Sequence, residues 1–306
     1  MKKLLLLANF YSGKGIIKLN IAEMIDYYNS RGFEVTVYSS QYVGHITDIV
    51  EKTGSNYDQI VCCGGDGTLN EAVNGLMMLN KRPILGYVPC GSTNDFANSV
   101  GIPTIVEESY KTAVTGRACT IDMGNINNKY FAYVAGFGLF TNISYETPQN
   151  IKNILGYQAY ILAGIKEIAN IRTYNMKITY DGGVIEDEIM IGLVSNSNSI
   201  AGMKKLFENY ANLNDGLFEV LLVKKPKNTS LLKNIVTCIV EKNFDNDMFY
   251  SFKTSHIKFE SQDFIKWTVD GEYGGDFNNT EINVIGKAID IMVDKNQSKK
   301  IEEDNK

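Results

Sequence analysis

Four short segments carry the residue types from which phosphate chemistry is built. Gly64-Gly65-Asp66-Gly67-Thr68-Leu69-Asn70-Glu71 stands between an apolar run and an amphipathic stretch. Glycines there let backbone N–H groups approach phosphate oxygens, and the N-terminus of a following helix adds a favourable dipole. The segment is neither a Walker A loop nor a GxGxxG fingerprint. By itself it also describes an ordinary turn in which Asp caps and Thr opens a helix. Asn9-Phe10-Tyr11-Ser12-Gly13-Lys14-Gly15 and Pro89-Cys90-Gly91-Ser92-Thr93-Asn94-Asp95-Phe96 are two more small polar loops, each behind an apolar run. An open α/β sheet gathers its ligand at the carboxyl ends of its parallel strands, and three such loops on one edge point to a nucleotide. Asp270-Gly271-Glu272 follows the run 264–269. It offers a carboxylate base, or else the turn of an Asp-Gly hairpin.

The elements that must position these residues fall into two textures. Up to about residue 120, short apolar runs alternate with helical patterns, which predicts an α/β N-terminal domain with a mainly parallel sheet. Strands are expected at 3–8, 34–38, 59–63 and 84–88, and helices at 17–30, 46–52 and 68–79. The last carries Leu69, Ala72, Val73, Leu76 and Leu79 at helical spacing. Beyond residue 121, β-type segments at 130–136, 174–180, 188–195, 217–223, 255–260, 264–270 and 281–285 predict a C-terminal antiparallel β-sandwich domain. Helices at 151–171 and 228–241 interrupt it, and the charged end of the chain reads as a frayed tail.

Composition narrows the function classes. The chain has 306 residues, 44% apolar and 21% charged, with only 5 Pro, as a folded two-domain protein should. A net charge of −5 gives no general attraction to nucleic acid, so no nucleic-acid partner is expected. Five cysteines without CxxC spacing, and only His45 and His256, leave little for a disulfide framework, a zinc site or a His-based nucleophile. Reduced thiols in the cytoplasm fit this pattern. Leu4 to Ala8 is too short an apolar stretch for a signal h-region of roughly 7–15 residues, and no window reaches the roughly 18 apolar residues of a bilayer span.

In their order, NFYSG (9–13), GGDGTLNEAVNG (64–75) and PCGSTNDFA (89–97) resemble the catalytic domain of the diacylglycerol kinase and sphingosine kinase superfamily. SYETP (144–148), NLNDGLFE (212–219) and VDGEYGG (269–275) narrow the resemblance to the soluble diacylglycerol kinases of Gram-positive bacteria, across nearly the whole chain. The sequence departs at two points: Asn9-Phe10 stands for the common Asn-Pro, and Gly91-Ser92 for Gly-Thr, and neither change removes a required chemical group.

The resemblance implies an ATP-binding catalytic domain over 1–121, to which about 287–297 returns, a lipid-side β-sandwich over 122–286, and a flexible tail at 298–306. It implies that Asn9, Ser12, Gly13, Ser40, Gly65, Asp66, Gly67, Thr68, Glu71 and Ser92 hold ATP. Asp66 and Asp95 would work through Mg2+ or water, with helix capping as the alternative. A structural Mg2+ would take carbonyl oxygens of Asn212 and Leu217 and the carboxylate of Asp215, in a segment that as bare sequence is a β-turn. Glu272 would accept the proton of the lipid alcohol, with Asp270 as the alternative. The implied reaction is phosphorylation of diacylglycerol to phosphatidic acid by a cytoplasmic protein, a homodimer, working peripherally at the inner face of the membrane. Lys14, Lys152 and Lys166 are the candidate lysines for contact with that membrane. Sphingoid bases and ceramide are alternative acceptors. An NAD kinase shares GGDGT but lacks the PCGSTNDFA and DGE pair, and a non-catalytic nucleotide binder would not need a placed base.

Overall fold

The computed structural model describes residues 1–138, 172–197, 199–200, 203–204 and 212–295. The run 144–148, the expected helix at 151–171 and the tail at 298–306 lie outside the described residues. Strand β1 (Lys2–Ala8) is the buried strand that its five apolar residues suggest, with Leu4 to Ala8 wholly covered. Leu4 and Leu6 join a core with Ile17, Met24, Tyr28 and Val61, while Leu5 and Leu7 join one with Leu69, Leu76 and Leu85. A strand covered on both faces reads as an unbroken apolar run because period-2 alternation sends each successive side chain into a different core.

β1 pairs in parallel with β2 (Phe33–Ser39) on one side and β3 (Gln59–Gly64) on the other, and β4 (Ile84–Pro89) continues in parallel from β3. Helices α1 (Ile16–Ser30), α2 (His45–Thr53) and α3 (Asp66–Met77) make the crossovers. Two further helices, α4 (Asp95–Val100) and α5 (Val106–Thr115), escaped the sequence reading. The first is only 6 residues long, too short for a 3.6-residue period to show. The second has Glu107, Glu108 and Lys111 on its outer side, with Ser109, Tyr110 and Ala113 buried.

Next come β5 (Arg117–Ile126), β6 (Lys129–Phe131), β7 (Val134–Phe137), β8 (Tyr174–Tyr180) and β9 (Gly183–Ser195), then the short pair β10 (Ser199–Ile200) and β11 (Met203–Lys204). After them follow β12 (Phe218–Lys224), α6 (Thr229–Glu241), β13 (Phe249–Thr254), β14 (His256–Val269) and β15 (Glu272–Val293). Asn228 caps α6, its side-chain oxygen accepting from Leu231 N at 2.9 Å.

Among the described residues, every strand except β10 and β11 joins one sheet. Its order is β13-β12-β9-β7-β14-β15-β4-β3-β1-β2, with β5 and β6 attached at β15 and β8 bridging β14 and β9. The expectation of a mainly parallel sheet needs correction. Parallel pairing is confined to β2-β1-β3-β4 and one rung, Ile291 opposite Leu85, between β15 and β4. Elsewhere the pairing is antiparallel, including β5 on β15 from Arg117 opposite Val293 to Ile126 opposite Ile282. The reason is connectivity: parallel neighbours need a long crossover, whereas β14 and β15 are joined by the short Asp270-Gly271 turn and so pair antiparallel. Residue 121, where the sequence texture changes, falls inside β5.

The antiparallel strands enclose a third core around Phe131, Phe137, Phe218, Phe259 and Trp267, in which Phe137 meets Trp267 edge-on at 5.0 Å between ring centroids. All five cysteines are free, four of them buried.

Tight packing of α5 on β4 gives a direct test of this architecture. A β-carbon at Gly86 would stand 2.8 Å from both the β-carbon and the carbonyl oxygen of Ala113. Gly86→Ala should therefore destabilise the protein by about 1–3 kcal/mol, the usual cost of overpacking, and thermal denaturation should show a Tm several degrees lower. An unchanged Tm would mean that α5 does not lie this close.

Candidate active site

The loops after β1, β3 and β4 meet at one edge of the sheet. Asn9 N–H donates to the Cys63 carbonyl (2.9 Å), and the Asn9 side-chain amide donates to Thr68 Oγ1 (3.1 Å). Ser12 Oγ accepts from Gly65 N (3.1 Å), and Gly13 lies in the 3-10 turn Ser12–Gly15. Ser40 N–H donates to the Ala8 carbonyl (2.9 Å), which brings the end of β2 to the same edge. Gly65 and Gly91 are in backbone contact: a β-carbon on Gly91 would stand 2.8 Å from Gly65 Cα. Gly91 N–H is held by Asn94 Oδ1 (2.8 Å), and Asn94 takes a left-handed conformation (φ 52°) that Asn tolerates better than most residues. Ser92 and Thr93 are exposed on this third loop.

Asp66 opens α3. One carboxylate oxygen accepts from Thr93 Oγ1 (3.3 Å) and Asp95 N (3.2 Å), while Oδ1 is buried without a partner. Burial and, after it, the charge of Asp95 push its pKa up to about 6, against the pull of the Asp95 and Phe96 amides. An unsatisfied buried carboxylate oxygen is costly. Beside the phosphate-type loop, it fits a cation-linked role better than a helix cap.

Glu272, at the start of β15, reaches the same helix end. A β-carbon on Gly67 would stand 2.7 Å from Glu272 Oε1, so glycine at 67 makes room for this carboxylate. Burial, followed by the charge of Glu71, raises the Glu272 pKa. Asp270, two residues earlier, is 2% exposed and wholly engaged. It accepts from Asn70 Nδ2 (2.8 Å) and Ala132 N (2.7 Å) on one oxygen, and from Tyr133 N (3.0 Å) and Val134 N (3.1 Å) on the other. Between the two candidate bases, the sealed Asp270 is a structural anchor and Glu272 is the one that faces the loops.

Glu71 differs from its expected use. Its carboxylate accepts from Gly44 N (2.8 Å) and Ile46 N (3.1 Å), so the side chain caps the start of α2.

Asn212, Asp215 and Leu217 lie elsewhere, around Asp122 of β5. Asp122 is fully buried and accepts from Gly216 N (2.7 Å) and Lys287 N (2.6 Å), while its own N–H donates to the Leu213 carbonyl (2.7 Å). Asp215 accepts from Leu217 N (3.0 Å) and pairs with Lys253 (3.3 Å), which also holds Glu219 (3.0 Å). Carbonyl oxygens with one carboxylate are a hard-oxygen donor set of the kind Mg2+ takes. Among the described residues no group of three or more His, Cys, Asp or Glu could hold a metal, so a cation here would rely on the one carboxylate of Asp215 with carbonyl and water oxygens.

The fold thus gathers Asn9, Ser12, Gly65, Asp66, Gly67, Thr68, Asp95 and Glu272, which are dispersed along the sequence. Asp122 and Tyr133 were missed. The acid at 122, between Ile121 and Met123, breaks an apolar run and could have been flagged; nothing local marks Tyr133.

Comparison with known proteins agrees with this geometry. Residues 3–126 match the model of the diacylglycerol kinase catalytic domain, and residues 140–293 match the YegS C-terminal NAD kinase beta sandwich-like domain. The chain is 31% identical to the diacylglycerol kinase of Bacillus subtilis (strain 168) over 305 residues, 99% of this chain and 100% of that one. It is 33% identical to the diacylglycerol kinase of Staphylococcus aureus (strain JH9) over 294 residues, 95% of this chain and 92% of that one. A crystal structure from Bacillus anthracis str. Sterne superposes with a TM-score of 0.81 at 26% identity, covering 96% of this chain and 95% of the other. With both domains present in order and relatives matched from end to end, this chain belongs to the diacylglycerol kinase family.

Proposed function

We propose that the protein transfers the γ-phosphoryl group of ATP to the free hydroxyl of diacylglycerol, giving phosphatidic acid for phospholipid metabolism. The observation that carries this reading is Glu272 against Gly67: a carboxylate from the C-terminal strands stands at the N-terminus of the helix that follows the phosphate-type loop. The names of the full-length relatives support the choice of acceptor.

In this reading Asn9, Ser12, Gly13, Ser40, Gly65, Gly67, Thr68 and Ser92 surround the nucleotide. Glu71 contributes by fixing the start of α2 beneath it. The Asp66 to Thr68 backbone donates to phosphate oxygens at a helix N-terminus. Asp66, with Asp95 behind it, would hold Mg2+, which when bound offsets the negative charge of the phosphate chain. Asn212, Asp215 and Leu217 would hold a second, structural Mg2+ that fastens the turn before β12 to β5. Glu272 accepts the alcohol proton as the new P–O bond forms and the bond from the γ-phosphorus to the bridging oxygen breaks, with ADP as the leaving group. We assign the ATP-binding part to 1–121 with 287–297, and the lipid-side part to 122–286. Among the described residues no helix is long and apolar enough to cross a membrane, and we propose that the lipid is met from the cytoplasmic membrane surface by a homodimer. Of the lysines suggested for that contact, Lys152 and Lys166 lie outside the described residues, and nothing is described of the Lys14 side chain.

Four outcomes check this reading. Asp66→Ala should abolish ATP-dependent phosphorylation of diacylglycerol without lowering Tm, because it removes an unsatisfied buried oxygen; turnover near wild type would sink the assignment. Glu272→Gln keeps size and reach but accepts no proton, so kcat should fall by about 10²–10⁴-fold with KM for ATP unchanged. Asp270→Asn should act differently, lowering Tm, because an amide cannot accept all four bonds. If Asp270→Asn cut kcat alone while Glu272→Gln stayed active, the base would be Asp270. Lastly, Asp66 and Glu272 both act ionised and both hold their protons above the usual carboxylate range. The pH profile of kcat/KM should therefore lose activity as pH falls through about 6, and a flat profile from pH 5 to 8 would contradict the two roles.

A further inference from the structure

Beneath the turn that carries Glu272 lies a phenol that the roles above leave unused. Tyr133, just before β7, is 4% exposed. Its backbone is pinned from two sides: the N–H donates to Asp270 Oδ1 (3.0 Å), and the carbonyl accepts from Asn196 N (3.0 Å) and Ser195 Oγ (2.8 Å). The side chain is therefore placed by the sheet and not by a loose loop. Its hydroxyl points under the Asp270-Gly271-Glu272 turn, where a β-carbon on Gly271 would stand 3.8 Å from Tyr133 Oη.

The surroundings of this hydroxyl are acidic. Burial, and then the charges of Asp66, Asp270 and Asp95, hold its proton well above the ordinary phenol range, so it stays a neutral donor at any physiological pH. The other buried phenol of the group, Tyr87, already donates to the Gly64 carbonyl (3.2 Å). Every hydrogen bond of Tyr133 among the described residues is made by its backbone.

Asp66, Asp95, Asp270 and Glu272 can only accept when ionised. The reacting alcohol donates to one such acceptor, Glu272. The remaining oxygens of a diacylglycerol, those of its esters, can only accept, and the Tyr133 hydroxyl is a neutral donor under the turn that carries Glu272. Building on the kinase reading, we propose that the Tyr133 hydroxyl is a specificity group that donates a hydrogen bond to an ester carbonyl of the lipid acceptor beside its reacting hydroxyl.

The test compares diacylglycerol with an ether-linked dialkylglycerol of the same chain length, which keeps the alcohol but has no carbonyl. Wild type should favour the ester in kcat/KM. Tyr133→Phe, which keeps the ring, should lose about 5- to 10-fold on the ester, the worth of one neutral hydrogen bond. It should lose nothing on the ether, with KM for ATP and Tm unchanged. Equal losses on both acceptors, or a lower Tm with them, would make Tyr133 a packing residue and overturn the proposal. So would a wild type that does not prefer the ester, or a Phe variant as selective as wild type. A wild type that phosphorylates neither lipid would instead overturn the kinase reading, and this inference with it.

Discussion

The Asp270 carboxylate holds together segments that the sequence keeps far apart. Its four hydrogen bonds run to three successive amides, at Ala132, Tyr133 and Val134, and to Asn70 of α3. Its own N–H returns to the Val134 carbonyl (2.9 Å), and its backbone is left-handed (φ 49°). Hydrogen bonds to a charged group are each worth about 1.5–3 kcal/mol net, and removing the partners of a buried charge costs more than they contribute singly. That set of bonds fixes the turn between β14 and β15 against α3, and so brings Glu272 to Gly67. Asn70 and Asn74 extend the joint, both donating to the Tyr130 carbonyl (3.2 and 3.0 Å).

Against that rigid joint, the edge proposed for the nucleotide is built with polar groups left exposed or unsatisfied. Asp66 keeps one buried oxygen without a partner, and the loops at Gly65 and Gly91 touch where any side chain would collide. The unsatisfied oxygen lowers stability in the folded chain, and both features suit a site for a charged ligand: an ionised carboxylate in a poorly hydrated place, and backbone close enough to wrap phosphate oxygens. The proposed site therefore combines an over-determined joint beside Glu272 with an under-satisfied edge at Asp66.

β15 explains how the two regions stay in register. Its 22 residues start at the proposed base and end beside β4. Between them the pairing with β5 shifts from Ile285 to Ile289, and at this irregularity Lys287 is left-handed (φ 51°) and donates its N–H to Asp122. Asp122 also holds Gly216, so the bulge and the turn before β12 are fastened by one buried carboxylate.

Much of this was legible in the chain. Leu4 to Leu7 read as a buried first strand, and the glycine-rich loops suggested phosphate chemistry while leaving an ordinary strand-to-helix turn open, because backbone freedom and phosphate binding are local properties of residue type. The order of the three loops and the DGE segment was enough to suggest the family. By resemblance the sequence favoured Glu272 as the base and kept Asp270 as the alternative, since an Asp-Gly turn and a carboxylate base share one spelling; the engagement of Asp270 by Asn70 and the 132–134 amides supports that preference. The sequence did not show that Glu71 caps α2, that Asp122 anchors two distant turns, or that β15 runs antiparallel to β5 before meeting β4. These depend on partners from 25 residues away, Ile46 to Glu71, to 206, Leu85 to Ile291, and local periodicity carries no record of a contact at that range. The residue types were set by the sequence, but which carboxylates remained free to act was decided by the hydrogen-bond donors that the tertiary fold brought to the others.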